Sequence, residues 1–197
     1  APLIGLVLGS AIMLLLSWVF RRWRPTKVDR VFRVGQLFSA AAYSIGHGGN
    51  DAQKTMGIIL AVMIAAGQIP AKGYDVPTWV VIASYSCMAF GTAIGGWRIV
   101  KTMGMGLTQL KPVGGFAAEV AGAITLFTAT HMHVPVSTTH TITGAIVGVG
   151  STNRLRGIRW GLAGRIVWAW IFTIPAAASV GAGALAQIGR ASCRERV

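Results

Sequence analysis

Acidic residues are nearly missing from this sequence: five Asp and Glu stand against eighteen Lys and Arg, and only 12% of the 197 residues are charged. With 53% hydrophobic residues and a mean hydropathy of +0.61, that scarcity excludes an ordinary soluble domain and makes the bilayer the natural solvent. Cysteine is scarce too. Cys87 lies in an apolar window and Cys193 in a polar tail, which excludes a disulfide framework. No 20 to 50 residue repeat is present, so a solenoid is excluded. The N-terminus lacks an initiator Met, a basic flank and a cleavage pattern, and starts directly in a hydrophobic run. It reads as a chain entered midway through a larger protein rather than as a signal peptide.

What is abundant is apolar sequence free of fixed charge. Windows 1–20, 34–50, 55–71, 76–97 and 166–189 each come near the length needed to cross a membrane, about 20 residues for ~30 Å of hydrocarbon. The window 120–153 is longer, and its polar content is His, Ser, Thr and Asn. A net charge of +13 could point to nucleic acid, but the basic residues sit in clusters between apolar windows. Arg21, Arg22, Arg24, Lys27, Arg30 and Arg33 form one cluster; Arg154, Arg156, Arg159 and Arg165 form another. This is the positive-inside pattern, and it places both clusters, with Arg98, Lys101 and Lys111, on the cytoplasmic side. The segment between Gln68 and Val76, with Lys72 and Asp75, then faces outside.

Residues 188–197 change character abruptly and resemble a translated sequencing adapter. Without their three Arg and one Glu the net charge falls from +13 to about +11, which leaves the membrane reading intact. The expected organisation is therefore one partial transmembrane domain over 1–187 and an artefactual tail over 188–197.

Spans are expected at 3–20, 78–96 and 166–187. The stretch 28–67 is too long for one crossing, since 40 residues make about 60 Å of helix. It is expected to begin along the cytoplasmic interface and to break at 46–51, either as a re-entrant hairpin or as an interfacial helix followed by a broken span. A second break is expected at 131–136, between helices 114–130 and 137–150. Gly91 and Gly95 form a small-residue stripe suited to close helix packing.

Irregular backbone at membrane depth survives only where protein or a water-filled cavity satisfies it, so two breaks mark a cavity. Half-helix N-termini suit an anion, and exposed carbonyls suit a cation. In the first break Asn50 and Asp51 can cap a helix starting near Ala52, but a carboxylate in hydrocarbon is costly enough to imply function. Asp51 is read as a cation ligand or proton acceptor, and Lys54 either as its partner or as a charge that snorkels to water. In the second break Ser137, Thr138, Thr139 and His140, followed by Thr141 and Thr143, can converge on a tetrahedral oxyanion. The plainer alternative is that these hydroxyls bond their own helix carbonyls. Gln53 and Thr55 are counted with the anion-binding set. Glu119 is read as a second cation or proton site, and His47 and His140 as proton carriers. His131 and His133 are read as interfacial, because two His without a matching ligand set do not make a metal site.

The motifs Gly46-His47-Gly48-Gly49-Asn50-Asp51-Ala52-Gln53-Lys54-Thr55-Met56-Gly57 and Val134-Pro135-Val136-Ser137-Thr138-Thr139-His140 resemble the paired signatures of the inorganic phosphate transporter (PiT) family. The resemblance implies an all-α polytopic membrane protein with broken or re-entrant helices, this chain being one half, the C-terminal repeat, of an inverted-repeat transporter. It further implies Asn50, Asp51 and Glu119 as cation-coupling positions and Ser137, Thr138 and Thr139 as phosphate-binding ones. Ala52-Gln53-Lys54-Thr55 departs from the animal sodium-coupled branch and looks like the bacterial one.

The function so implied is ion-coupled symport of inorganic phosphate across a bacterial plasma (inner) membrane. A sulfate permease of the same family is the alternative, and a channel or structural membrane protein a further one. No enzyme activity is expected, Ser137 with His140 being the one nucleophile–base pair on offer. No cofactor and no metal are expected beyond a coupling cation, H+ or Na+. Expected partners are phosphate or metal-phosphate, the coupling cation, the lipid bilayer, the missing N-terminal repeat and a second copy in a homodimer, with no nucleic acid.

Overall fold

The computed structural model describes residues 1–70, 75–153 and 157–194, without the side chains of 98, 99, 105, 153 and 188–194. Lys72, Arg154 and Arg156, and the side chains of Arg98 and Cys193, lie outside what is described. Two units are distinguished, 1–158 and 159–197.

The first unit holds helices α1 (Pro2–Val19), α2 (Pro25–Ala65), α3 (Thr78–Val100), a π-helical stretch Lys101–Gly106, α4 (Pro112–His131) and α5 (Thr138–Asn153). The second holds α6 (Trp160–Arg194), with Pro175 inside it. Spans α1, α3, α4 and α6 are long and apolar enough to cross a membrane. The protein is an all-α polytopic membrane protein.

Proline sits in the first turn of α1, α2 and α4, where its missing N–H is not needed. Helix α2 ends at Gly67, whose φ of +70° admits glycine readily. There Gly67 N–H donates to the Ile64 carbonyl and Gln68 N–H to that of Met63, a Schellman pair that satisfies the last carbonyls.

The break expected at 46–51 does not occur: α2 runs unbroken for 41 residues, about 61 Å at ~1.5 Å per residue. Glycines in a helix cost only about 1 kcal/mol each against Ala, and no proline removes a ladder donor here. Gly46 instead lets α2 sit against Leu126 and Phe127 of α4. The break at 132–137 does occur, because Pro135 has no N–H to continue the ladder. His133 adopts φ +56° in this turn.

Side-chain register fixes the directions of the helices. Gln36 meets Glu119 and Asn50 meets Thr130, so α2 and α4 run parallel. Gly114 lies beside Val149 and Gly122 beside Ile142, so α4 and α5 form an antiparallel hairpin. Because Asn50 is level with the end of α4, α2 continues some 14 residues, or about 21 Å, past the hairpin turn before ending at Ala65. The fold-back of the chain thus belongs to α4–α5 rather than to 28–67.

The two ends of the hairpin lie on the side where α1 ends and α2 begins. That side carries Arg21, Arg22, Arg24, Lys27, Lys101 and Lys111, consistent with a cytoplasmic face. Edge-on aromatic contacts tie the helices together there. Phe20–Trp23, Phe20–Phe32 and Phe32–Phe116 have ring centroids 4.9, 5.2 and 5.1 Å apart, and Lys27 Nζ lies 4.4 Å from the Trp23 ring centre.

The tightest contact pairs α1 with α5 in parallel. A Cβ added to Gly5 would strike the Thr141 carbonyl, one on Gly144 that of Pro2, and one on Gly148 that of Leu6. On Gly9 it would stand 2.6 Å from the Ala145 carbonyl oxygen. Small residues four apart on both helices bring backbone to backbone. Gly91 and Gly95, by contrast, have no neighbour within 4 Å and do not pack a helix in this unit.

Gly144→Val in the full-length protein should therefore lower its thermal unfolding temperature in detergent by several degrees, overpacking costing about 1–3 kcal/mol. Gly57→Ala, which meets nothing within 4 Å, should leave it unchanged or slightly raised. Equal melting of the two variants would contradict the α1–α5 contact.

Candidate functional site

Asp51 is the centre of the site. Its position about two-thirds of the way along α2 brings it level with the hairpin turn, and its side chain is 27% exposed. Lys54, one turn on, donates to Asp51 Oδ1 at 3.0 Å and to the Val136 carbonyl at 2.6 Å. Thr138, buried at the start of α5, donates to Asp51 Oδ2 at 3.2 Å. His47 Nε2, one turn back on α2, stands 3.1 Å from the same oxygen. Tyr43 donates to the Thr138 carbonyl at 3.4 Å. One carboxylate thus joins the middle of α2 to the first turn of α5.

The hydroxyls of the second motif divide among several tasks. Ser137 is the N-cap of α5: its carbonyl accepts the Thr141 N–H, and its Oγ accepts that of His140 at 3.4 Å. Thr141 and Thr143 donate to the carbonyls of Ser137 and Thr139 within their own helix, as the plainer alternative requires. Thr138 serves Asp51. Thr139 is exposed and lines the cavity. Gln53 and Thr55 are both exposed; the Thr55 hydroxyl donates to the Asp51 carbonyl of its own helix at 3.4 Å, and neither lines the cavity.

Glu119 forms a separate node. It accepts from Ser39 at 2.5 Å and from Gln36 at 3.4 Å. Ser39 precedes Asp51 by twelve residues of continuous helix, or about 18 Å, so the two carboxylates do not share one ligand set. Asn50 points away from Asp51 onto α4. It is 5% exposed, donates to Thr130 Oγ1 at 3.5 Å, and leaves its Oδ1 buried without a partner among the described residues. Sequence reasoning missed Ser39, Gln36 and Tyr43, which carry no motif and acquire their roles across some 80 residues of chain.

Both nodes open on one cavity of about 860 Å³ among α2, α3, the π-helical stretch, α4 and α5. Its wall includes His47, Asp51, Glu119, Thr139, Lys111 and Cys87. Gly91, Gly95 and Gly96 line it from α3, which gives the glycine stripe its place. A hairpin that carries a helix N-terminus, hydroxyls and a carboxylate to the wall of a cavity has the construction of a membrane transporter.

The comparisons with known proteins agree. The profile of the phosphate transporter family matches residues 1–181, and the chain belongs to that family. It is 56% identical over 182 residues to a probable low-affinity inorganic phosphate transporter of Rhizobium meliloti, covering 92% of this chain and 54% of that protein. A protein of the same description from Bacillus subtilis is 42% identical over the same shares of both chains. The sodium-dependent phosphate transporter 1-B of Xenopus laevis is 32% identical over 81% of this chain and 24% of its own length. A solved structure of a sodium-dependent phosphate transporter superposes with a TM-score of 0.68 at 25% identity, over 88% of this chain and 52% of that one. The chain spans about half the length of the bacterial relatives it matches most fully.

Ser39→Ala should lower thermal stability, a hydrogen bond to a charged group being worth about 1.5–3 kcal/mol, while Ser39→Thr should keep most of it. Stability unmoved by the alanine would show that Ser39 does not hold Glu119. Cys87, exposed on the cavity wall, should react with a small charged thiol reagent in the full-length protein, and phosphate should slow that reaction. Labelling indifferent to phosphate would place the ligand elsewhere.

Proposed function

We propose that the full-length protein is an ion-coupled symporter importing inorganic phosphate, free or as a metal complex, across a bacterial plasma membrane. The observation that carries this reading is the meeting of Asp51 with the N-terminus of α5 at the hairpin turn, on the wall of a cavity. The first N–H groups of α5 and the hydroxyl of Thr139 suit the oxygens of phosphate, and a helix N-terminus favours negative charge. Ser137 and Thr138 act mainly by shaping that turn. Gln53 and Thr55 join the phosphate only if the other half of the protein brings it to their side of α2.

Two carboxylates beside an anion site need compensating cations. Asp51, Glu119 and Asn50, whose Oδ1 is a buried acceptor without a partner among the described residues, are the cation positions, with H+ or Na+ as the coupled ion wherever the chain does not itself supply the charge. His47, in contact with Asp51, and His140, in the first turn of α5, are the proton carriers. The remaining walls come from an N-terminal repeat of the same chain, and a homodimer is the assembly we infer. The family match ends before residues 188–197, and we assign that tail no part in transport. Sulfate finds no support, the relatives being named for phosphate, and those names equally favour a carrier over a channel or an enzyme.

Full-length protein in liposomes should take up radiolabelled phosphate saturably under an imposed sodium or proton gradient, and tenfold excess sulfate should leave the rate unchanged. Asp51→Asn should lower the rate at least tenfold, and Thr139→Val should raise KM several-fold with kcat less affected. Gradient-independent, unsaturable flux through folded protein would overturn the carrier reading.

A further inference from the structure

Two oxygens meet the Lys54 ammonium, Asp51 Oδ1 and the Val136 carbonyl, while the Thr138 hydroxyl donates to the other carboxylate oxygen, Oδ2. The Val136 carbonyl is available because Ser137 caps α5, so the helix ladder starts one residue later and leaves Val136 outside it. A carboxylate, a backbone carbonyl exposed at a helix break and a hydroxyl form the oxygen set that hard monovalent and divalent cations take. Here the first two are held by a charge belonging to the chain itself. Although its side chain is 38% exposed, the Lys54 Nζ spends two of its three donors on protein oxygens.

We infer that Lys54 is a tethered cation that permanently fills the cation position at Asp51, so that this half of the transporter needs no free ion there, and the exchangeable coupling cation is taken at the Glu119 node. This rests on the transporter reading above and specifies where its coupling ion sits. It also explains how Asp51 can stand beside an anion site without a second ion to neutralise it. The tether has a geometric consequence: Lys54 is on α2 and Val136 in the hairpin turn, so the same ammonium that neutralises Asp51 fastens the turn to α2.

Removing the tether should create a requirement for a free ion. In full-length protein reconstituted in liposomes, Lys54→Gln should raise the ratio of phosphate uptake in 100 mM sodium to that in 100 mM choline at least tenfold over wild type. Sodium should restore the variant's rate to within about threefold of wild type, and Lys54→Arg should keep the wild-type ratio. Lys54→Gln that transports equally in both media, or that stays inactive in sodium while folded, would overturn the inference; in the second case a raised phosphate KM would make Lys54 a ligand of the anion.

A binding arm stands apart from transport. Sodium should raise the melting temperature of detergent-solubilised Lys54→Gln more than that of wild type, and the added effect should vanish in Lys54→Gln/Asp51→Asn. No added shift in the single variant, or the same shift in the double one, would overturn the tethered cation even if phosphate transport is confirmed. Wild-type protein that carries no phosphate while the sodium shifts appear as expected would instead overturn the transporter reading and leave the cation site standing.

Discussion

A carboxylate set among apolar helices needs partners from the protein, and the architecture of the first unit follows from what Asp51 is given. Its partners come from two directions: His47 and Lys54 from the turns of α2 on either side, and Thr138 from α5. To bring Thr138 there the chain must turn back at the depth of Asp51, which requires α4 to stop at His131 and α5 to begin at Thr138. That turn in turn leaves backbone groups outside the helix ladders. Capping by Ser137, the Lys54 bond to the Val136 carbonyl and the Tyr43 bond to the Thr138 carbonyl meet much of that demand. The charged group and the irregular backbone each satisfy what would otherwise be a penalty on the other.

Glu119 shows the same logic at smaller scale. Its oxygens are met by Ser39 and Gln36 from a parallel helix, with no fixed positive charge in the contact. A neutral cradle leaves the carboxylate open to association with a cation, whereas Asp51 has one bonded to it already. The difference between the two nodes is thus chemical as well as positional, and both remain in view of the same cavity.

Much of this could be read along the chain, for identifiable reasons. Apolar windows gave the helices, because burying a backbone in lipid leaves few alternatives, and the first basic cluster marks the turn between α1 and α2. The break at Pro135 was legible because proline removes a donor whatever surrounds it. The break at Gly46–Asp51 was not real, since glycine only weakens a helix and the contact of Gly46 with Leu126 and Phe127 outweighs the propensity. Asp51, Glu119 and the Thr138–Thr139 pair could be singled out because their polarity is out of place in an apolar segment. Their grouping could not be, because register between distant helices decides it. Asn50 and Asp51 are neighbours in sequence, yet about 100° apart on the helix, so one faces α4 and the other the turn. The small-residue spacing at Gly91 and Gly95 looked like a packing face and lines a cavity instead, while the same spacing at Gly5 and Gly9 is the true close contact. Spacing cannot distinguish a surface that touches a neighbour from one that leaves room.

Between α1 and α5 there is no layer of side chains to rearrange. Helices separated by long side chains can shift by small rotamer adjustments, but here a slip of one residue would drive a Cβ into a carbonyl at Gly5, Gly9, Gly144 or Gly148. The two helices form a strut of fixed length and register. Across the hairpin, α4 meets α2 through Gln36, Ser39, Tyr43 and Asn50, a contact of jointed polar arms. Any rearrangement of these helices therefore keeps α1 and α5 together as one body, whereas the α2–α4 contact is made by side chains that can change rotamer.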